Sequence, residues 1–342
     1  MAGYAIGRVD GRATALTVIL PLKWYGRTWL TVWFGFLRLP FVGRWAFKKL
    51  DRLRFVSAIR WSLLPPFVPQ KSPFDRDLDQ RWQLLFESNF DGDWDEYLDS
   101  FGSVMGGALK SIIRPGAGYP SLKSPSLFKD YARIHDHTPH GYVSSYPTLT
   151  AGDIRQEILA RYGEAAKKAI VKADFGRTSP QWTTFLVPIR PGRTGAVTDA
   201  TVALEEDVLV HKENALLLTT GRIHFARVAI LDRPSGSWLL TTLTHDGPVE
   251  PILQQMVAAD AKAAPDKRLL RALLECLEGV PVDSVGWWDD QALVDFLLAH
   301  RPAASNKFVA YCGYPGFTVR DIVPFVDERT RDDRWPSAEV LH

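Results

Sequence analysis

The chain has 342 residues with 46% hydrophobic and 23% charged side chains, a balance that excludes disordered or fibrous classes and suits two ordinary domains or one large one. Its formal charge of +2 conceals a segregation: the first sixty residues hold eleven Lys and Arg against two Asp, a balance of +9, which leaves −7 for residues 61–342. A basic end calls for an anionic partner. Two cysteines, Cys276 and Cys312, are too few for a disulfide framework and suit a reducing, cytoplasmic setting.

The apolar run Leu16 to Leu22 is short, is followed by Lys23 and Arg27, and has no small-residue cleavage pattern after it, so it is not read as a signal peptide. Beyond it, Trp29, Leu30, Trp33, Phe34 and Leu37 recur at helical spacing. After Pro40 a second stretch places Val42, Ala46, Leu50 and Leu53 on one side, opposite Arg44, Lys48 and Arg52. Lys49 intrudes on the apolar side, where a long side chain can snorkel. Neither stretch supplies the roughly 20 uninterrupted apolar residues of a spanning helix. Residues 1–53 therefore predict a basic amphipathic segment lying on an anionic membrane surface, with Trp29, Trp33, Phe34, Arg44, Lys48 and Arg52 in contact. The same aromatics would also serve an interface with a second copy or another protein. Nucleic acid is not an expected partner, since the charges carry no stacking platform or groove-reading motif.

The remainder is self-similar. F-V-S-A-I-R-W-S-L-L from Phe55 aligns with R-I-H-F-A-R-V-A-I-L from Arg222, and L-L-F-E-S-N-F-D-G from Leu84 with L-L-T-T-L-T-H-D-G from Leu239. Further on, S-L-F-K-D-Y-A-R-I-H from Ser126 aligns with Q-A-L-V-D-F-L-L-A-H from Gln291, and Y-P-T-L-T-A-G-D-I from Tyr146 with Y-P-G-F-T-V-R-D-I from Tyr314. The expected division is a first α+β repeat over 54–165, a bridge over 166–220 and a second repeat with its tail over 221–342. The T-x-x-D pairs Thr150 with Asp153 and Thr318 with Asp321 predict capped helix starts. The aspartates of D-G-D-W-D-E, from Asp91, read as a helix first turn rather than a calcium loop, because Glu96 stands where that loop needs glycine.

This ordered duplication resembles the ferredoxin-like halves that pair into an α/β barrel in chlorite dismutases and dye-decolourising peroxidases. The resemblance covers about residues 54–327 and implies a pseudo-symmetric α/β barrel, with haem as the cofactor. The peroxidases' G-x-x-D-G loop is not reproduced, since Ser88 and Leu243 stand where its first glycine belongs.

Arg60 and Arg227 occupy one aligned position inside apolar strands, and a buried arginine demands a partner. That partner is either an anionic ligand held between the repeats or an internal carboxylate, for which Asp130 and Asp295 are candidates. His300, aligned with His135, joins them as a ligand-binding candidate. His135, His137 and His140, in H-D-H-T-P-H, are candidate metal ligands if the chain turns at Pro139; a helix C-terminus explains histidine there equally well. The sequence shows no P-loop, dinucleotide fingerprint or nucleophile elbow, and Ser144, Ser145 and Cys312 have no identifiable base beside them. The expected function is a peripheral membrane binding or assembly module with a lipophilic or anionic ligand site between two repeats. The alternative is a haem- or metal-dependent oxidoreductase acting on a lipophilic substrate.

Overall fold

The computed structural model describes residues 14–39, 42, 50–68, 77–120, 125–137, 139–146, 149–172, 180–211, 215–280, 289–306, 308–314 and 316–322. The chain runs β1 (Thr14–Pro21), α1 (Gly26–Leu37), β2 (Val56–Leu64), β3 (Gln83–Phe90), α2 (Trp94–Ile113), α3 (Pro125–Ile134), β4 (Gly141–Ser144) and α4 (Ala151–Lys172). A like order follows: β5 (Gln181–Pro188), α5 (Thr194–His211), β6 (Ile223–Arg233), β7 (Gly236–His245), α6 (Val249–Lys262), the short α7 (Leu269–Leu274), α8 (Asp290–Ala299) and β8 (Phe308–Cys312). A helical turn at 319–322 comes last. The protein is α+β, with two four-stranded antiparallel sheets in the orders β1-β3-β2-β8 and β4-β6-β7-β5.

Each sheet takes three strands from one half of the chain and its fourth from the other. Just before β4, His137 N donates to Thr17 O on β1, whereas β4 itself pairs with β6. In the second half Leu186 N on β5 donates to His300 O, and the chain then crosses to place β8 beside β2. The crossing segments thus stitch the edge of one sheet to the edge of the other.

The expected boundary at residue 54 is corrected by this pairing. β1, which falls inside the segment read as a surface tether, pairs with β3 from Thr14 opposite Phe90 to Pro21 opposite Gln83. Its alternating Leu16, Val18 and Leu20 are buried beside Leu30, Phe34 and Leu37 of α1, so this part of residues 1–53 belongs to the core. The bridging stretch 166–220 supplies β5 and α5.

Strand periodicity sorts the remaining side chains. Ile59, Trp61 and Leu63 with Leu84, Phe86 and Phe90 face the helices of the first half. On the opposite face Ile19, Leu64 and Leu85 meet Leu186, Ala229, Leu231 and Leu240 of the second sheet, so the two sheets stack with helices outside. β2 and β6 carry bulges at aligned places, between Val56 and Ala58 and between Ile223 and Phe225. At the first bulge the backbones come so close that a Cβ on Gly313 would lie 2.9 Å from Val56 O.

Both T-x-x-D boxes form. Thr150 N donates to Asp153 Oδ2 at 3.0 Å and Thr318 N to Asp321 Oδ2 at 2.8 Å. The same two helix starts receive a second carboxylate from the loop after the hairpin: Ala151 N donates to Asp91 and Val319 N to Asp246, each at 2.8 Å. In D-G-D-W-D-E the N-cap of α2 is therefore Asp93, which accepts from Asp95 N at 2.7 Å, while Asp91 serves another helix.

Candidate functional site between the sheets

Arg60 on β2 and Arg227 on β6 both point into the space between the sheets, 1% and 4% exposed. One carboxylate serves them both. Glu87 sits directly opposite Arg60 in the β2–β3 register; its Oε2 is 3.5 Å from Arg60 Nη1 and its Oε1 is 3.7 Å from Arg227 Nε. The expected partners Asp130 and Asp295 lie instead on the surface, near Arg133 at 3.8 Å and accepting from Gln291 at 2.8 Å respectively. The signal that finds Glu87 is a lone carboxylate inside the apolar strand L-L-F-E-S-N-F, on the face that hairpin register sets against Arg60.

Arg227 spends its remaining donors on the opposite sheet: Leu16 O at 2.7 Å, Thr17 Oγ1 at 3.1 Å, Ser88 O at 3.3 Å and Asn89 Oδ1 at 2.5 Å. Arg60 donates to Ser305 O at 3.2 Å and lies over the Phe308 ring. Burial pulls the Arg60 guanidinium down to about 10, against the pull of Glu87, with Arg227 adding to the descent. The group remains charged. Two cations and one carboxylate leave a net positive girdle, around which Ser62 Oγ, Thr184 Oγ1 and Thr242 Oγ1 have no hydrogen-bond partner. Because protein groups take up most of the guanidinium donors, the arrangement ties sheet to sheet, and an anionic ligand here gains no support.

The histidine candidates take separate partners. His140 Nδ1 accepts from Ile230 N at 3.1 Å, His137 Nε2 lies 3.5 Å from Arg233 Nη2, and His135 stacks edgewise on Tyr131. Burial, then the Arg233 charge, pushes His137 down to about 4. Among the described residues no three His, Cys, Asp or Glu side chains come together to hold a metal ion. His300 closes the end of α8, its Nδ1 2.8 Å from Phe296 O, and does not meet the arginines. Sequence reasoning missed a different histidine, His224, whose Nδ1 meets the Tyr146 hydroxyl and whose Nε2 lies 2.9 Å from Asp246 Oδ1.

The surface candidates divide as well. Phe34 is corrected from membrane contact to core residue, 1% exposed, because α1 turns Leu30, Phe34 and Leu37 inward. Trp33 is half-buried, Arg52 is exposed, and Arg44 and Lys48 lie outside the described residues. The outward side of α1 and its ends presents Trp24 at 69%, Trp29 at 46%, Val32 at 68%, Phe36 at 45% and Leu39 at 51% exposure.

A further cavity, about 70 Å³, lies between the second sheet and its helices. Among the described residues its wall carries no His, Cys or Tyr, and Met256 is its one sulfur donor. That donor set does not fit a haem iron, which needs a strong axial ligand. No protein-family model matches the chain, and no curated protein matches it.

Proposed function

We propose that the protein is a peripheral membrane binding module whose body is a pseudo-symmetric α/β barrel of two ferredoxin-like units and whose outer α1 face rests on an anionic bilayer. The barrel is supported by the exchanged fourth strands and by the crossing segments at His137 and His300, which join both pairs of sheet edges. Pseudo-symmetry is supported by the aligned bulges and by the paired aspartate caps.

The observation that carries the membrane reading is the second apolar stripe of α1. Trp29, Val32 and Phe36, continued by Leu39, stand on the side away from the buried stripe, and a helix apolar on both sides needs a second cover. Its neighbours are cationic: exposed Arg27 lies over the Trp82 ring, and Trp29 donates to Ser111 O at 2.9 Å beside exposed Lys110 and Arg114. Between residues 11 and 66 the sequence holds a single carboxylate, Asp51. Indole at headgroup level and cations worth about 1 kcal/mol each near an anionic leaflet give reversible binding. No described helix is long and apolar enough to cross a membrane.

Sedimentation with phosphatidylglycerol vesicles tests this directly. Wild type should co-sediment, lose binding in high salt and ignore phosphatidylcholine, and Trp29→Ser/Val32→Ser/Phe36→Ser should bind at least tenfold more weakly with an unaltered melt. Indifference to anionic vesicles, or a dimer in light scattering that the same variant dissociates, would assign the face to protein instead.

A further inference from the structure

The cations along α1 are unevenly placed. At its C-terminal end the Arg38 guanidinium is spent on β8, where Nε and Nη2 donate to Phe308 O at 3.1 and 2.9 Å. At its N-terminal end the chain packs on the last turn of α2. Lys23 N donates to Pro115 O at 2.8 Å, Lys23 Nζ to Arg114 O at 3.2 Å and Trp29 Nε1 to Ser111 O at 2.9 Å. These bonds set the backbone that carries Lys23 and Arg27 beside the backbone that carries Lys110 and Arg114, the last three of these being exposed.

Neither stretch supplies a counter-charge, since residues 11–50 and 100–129 hold no Asp or Glu. Among the described residues none of the four cations is paired with a carboxylate. Like charges gathered at one place repel, and an anion brought among them is held by all of them. Cations spread along the whole helix would suit the average potential of an anionic leaflet. Cations gathered beside Trp24 and Trp29, whose indole rings prefer headgroup level, suit the phosphate of a single headgroup. A phosphodiester brings one negative charge there, whereas a phosphomonoester brings about −1.5 to −2 at neutral pH and three terminal oxygens for amino and guanidinium donors.

We propose that Lys23, Arg27, Lys110 and Arg114, at the junction of α1 with the end of α2, recognise the phosphomonoester headgroup of an anionic lipid such as phosphatidate, in preference to phosphodiester lipids at equal surface charge. The proposal rests on the membrane reading of α1 and adds to it a choice among anionic lipids. Trp29, Val32 and Phe36 supply the apolar contact with the bilayer, and the four cations supply the selection. The second dissociation of a phosphomonoester falls at roughly pH 6, so the selection weakens as pH is lowered through that value. Neither stretch holds a histidine, which places that change in the lipid.

The test compares full-length protein on two kinds of phosphatidylcholine vesicle, one containing phosphatidate and the other phosphatidylglycerol, in amounts adjusted to equal zeta potential. At about pH 7.5 the protein should partition at least fivefold more strongly onto phosphatidate, and at about pH 5.5 that ratio should fall below two. Lys110→Gln/Arg114→Gln, with an unaltered melt, should bring the ratio below two at the higher pH. Equal partitioning of wild type on the two vesicles would overturn the headgroup choice and leave the membrane reading standing, whatever the variant does. Indifference to both vesicles would overturn the two together. An undiminished ratio in the folded variant would overturn the seat assigned to the phosphate. Inorganic phosphate that binds below millimolar concentration and releases the protein from phosphatidate would make the ligand a soluble phosphate and overturn the lipid source.

Discussion

Glu87 stands across from Arg60 on the adjacent strand and, with its other oxygen, 3.7 Å from Arg227, which reaches it from the opposite sheet. Two aligned arginines therefore depend on one carboxylate that has no aligned counterpart, since the residue opposite Arg227 is Thr242. The two aligned strand pairs thus differ at the point where charge must be balanced.

Removal of Glu87 should then cost more than removal of either arginine's charge alone. Glu87→Gln strands two buried guanidinium groups and should lower stability by about 3–5 kcal/mol. Arg60→Met leaves the Arg227–Glu87 pair intact and should cost clearly less in urea denaturation. Equal losses in the two variants would show that the carboxylate is not shared.

Two buried groups should give pH dependences of opposite sign. Burial pushes the Asp91 carboxyl from 3.8 up to about 7, so the folded state binds more protons than the unfolded one between those values. Its contribution is complete below pH 4 and is lost as pH rises toward 7. Burial pushes His245 from 6.5 down to about 4, so its contribution is complete above pH 6.5 and is lost as pH falls toward 4. Melts from pH 4 to 8 should show Asp91→Asn gaining on wild type as pH rises, and His245→Gln gaining as pH falls. The same sign for both differences would contradict these environments.

What sequence made legible follows the range of the interactions. The T-x-x-D boxes close within four residues, and both were readable. Arg60 and Arg227 announced burial because charge in an apolar strand has few explanations. Glu87 did not, because its role rests on hairpin register and on sheet stacking. β1 was hidden for a like reason: its partner β3 lies some seventy residues away, and the basic residues around it drew the segment toward the surface reading. The exchange of β4 and β8 between the sheets leaves no mark in local periodicity.

Gly313 should resist substitution for a reason independent of the charged girdle. An alanine Cβ would come 2.9 Å from Val56 O, a backbone atom held by the β2 bulge and unable to swing aside. Gly313→Ala should lower stability by about 1–3 kcal/mol, the usual scale of overpacking. Gly195→Ala, with open space around its Cβ, should stay within about 1 kcal/mol of wild type.

The two carboxylates at the last helical turn differ in reach. Asp321 completes a local box through Thr318 N, and its loss should cost about 1 kcal/mol, as for other helix caps. Asp246 joins three separate elements: its Oδ1 meets His224 Nε2 on β6, its Oδ2 accepts from Val319 N, and through His224 it holds the Tyr146 hydroxyl in the loop after β4. Asp246→Ala would leave the buried His224 and a helix-start amide without that acceptor, and each such loss costs about 1–3 kcal/mol. Its urea midpoint should therefore fall at least twice as far as that of Asp321→Ala, and amide exchange should quicken in β4 as well as at Val319. A loss confined to the last helical turn would mean that Asp246 acts as a cap alone and that the histidine is held by other contacts.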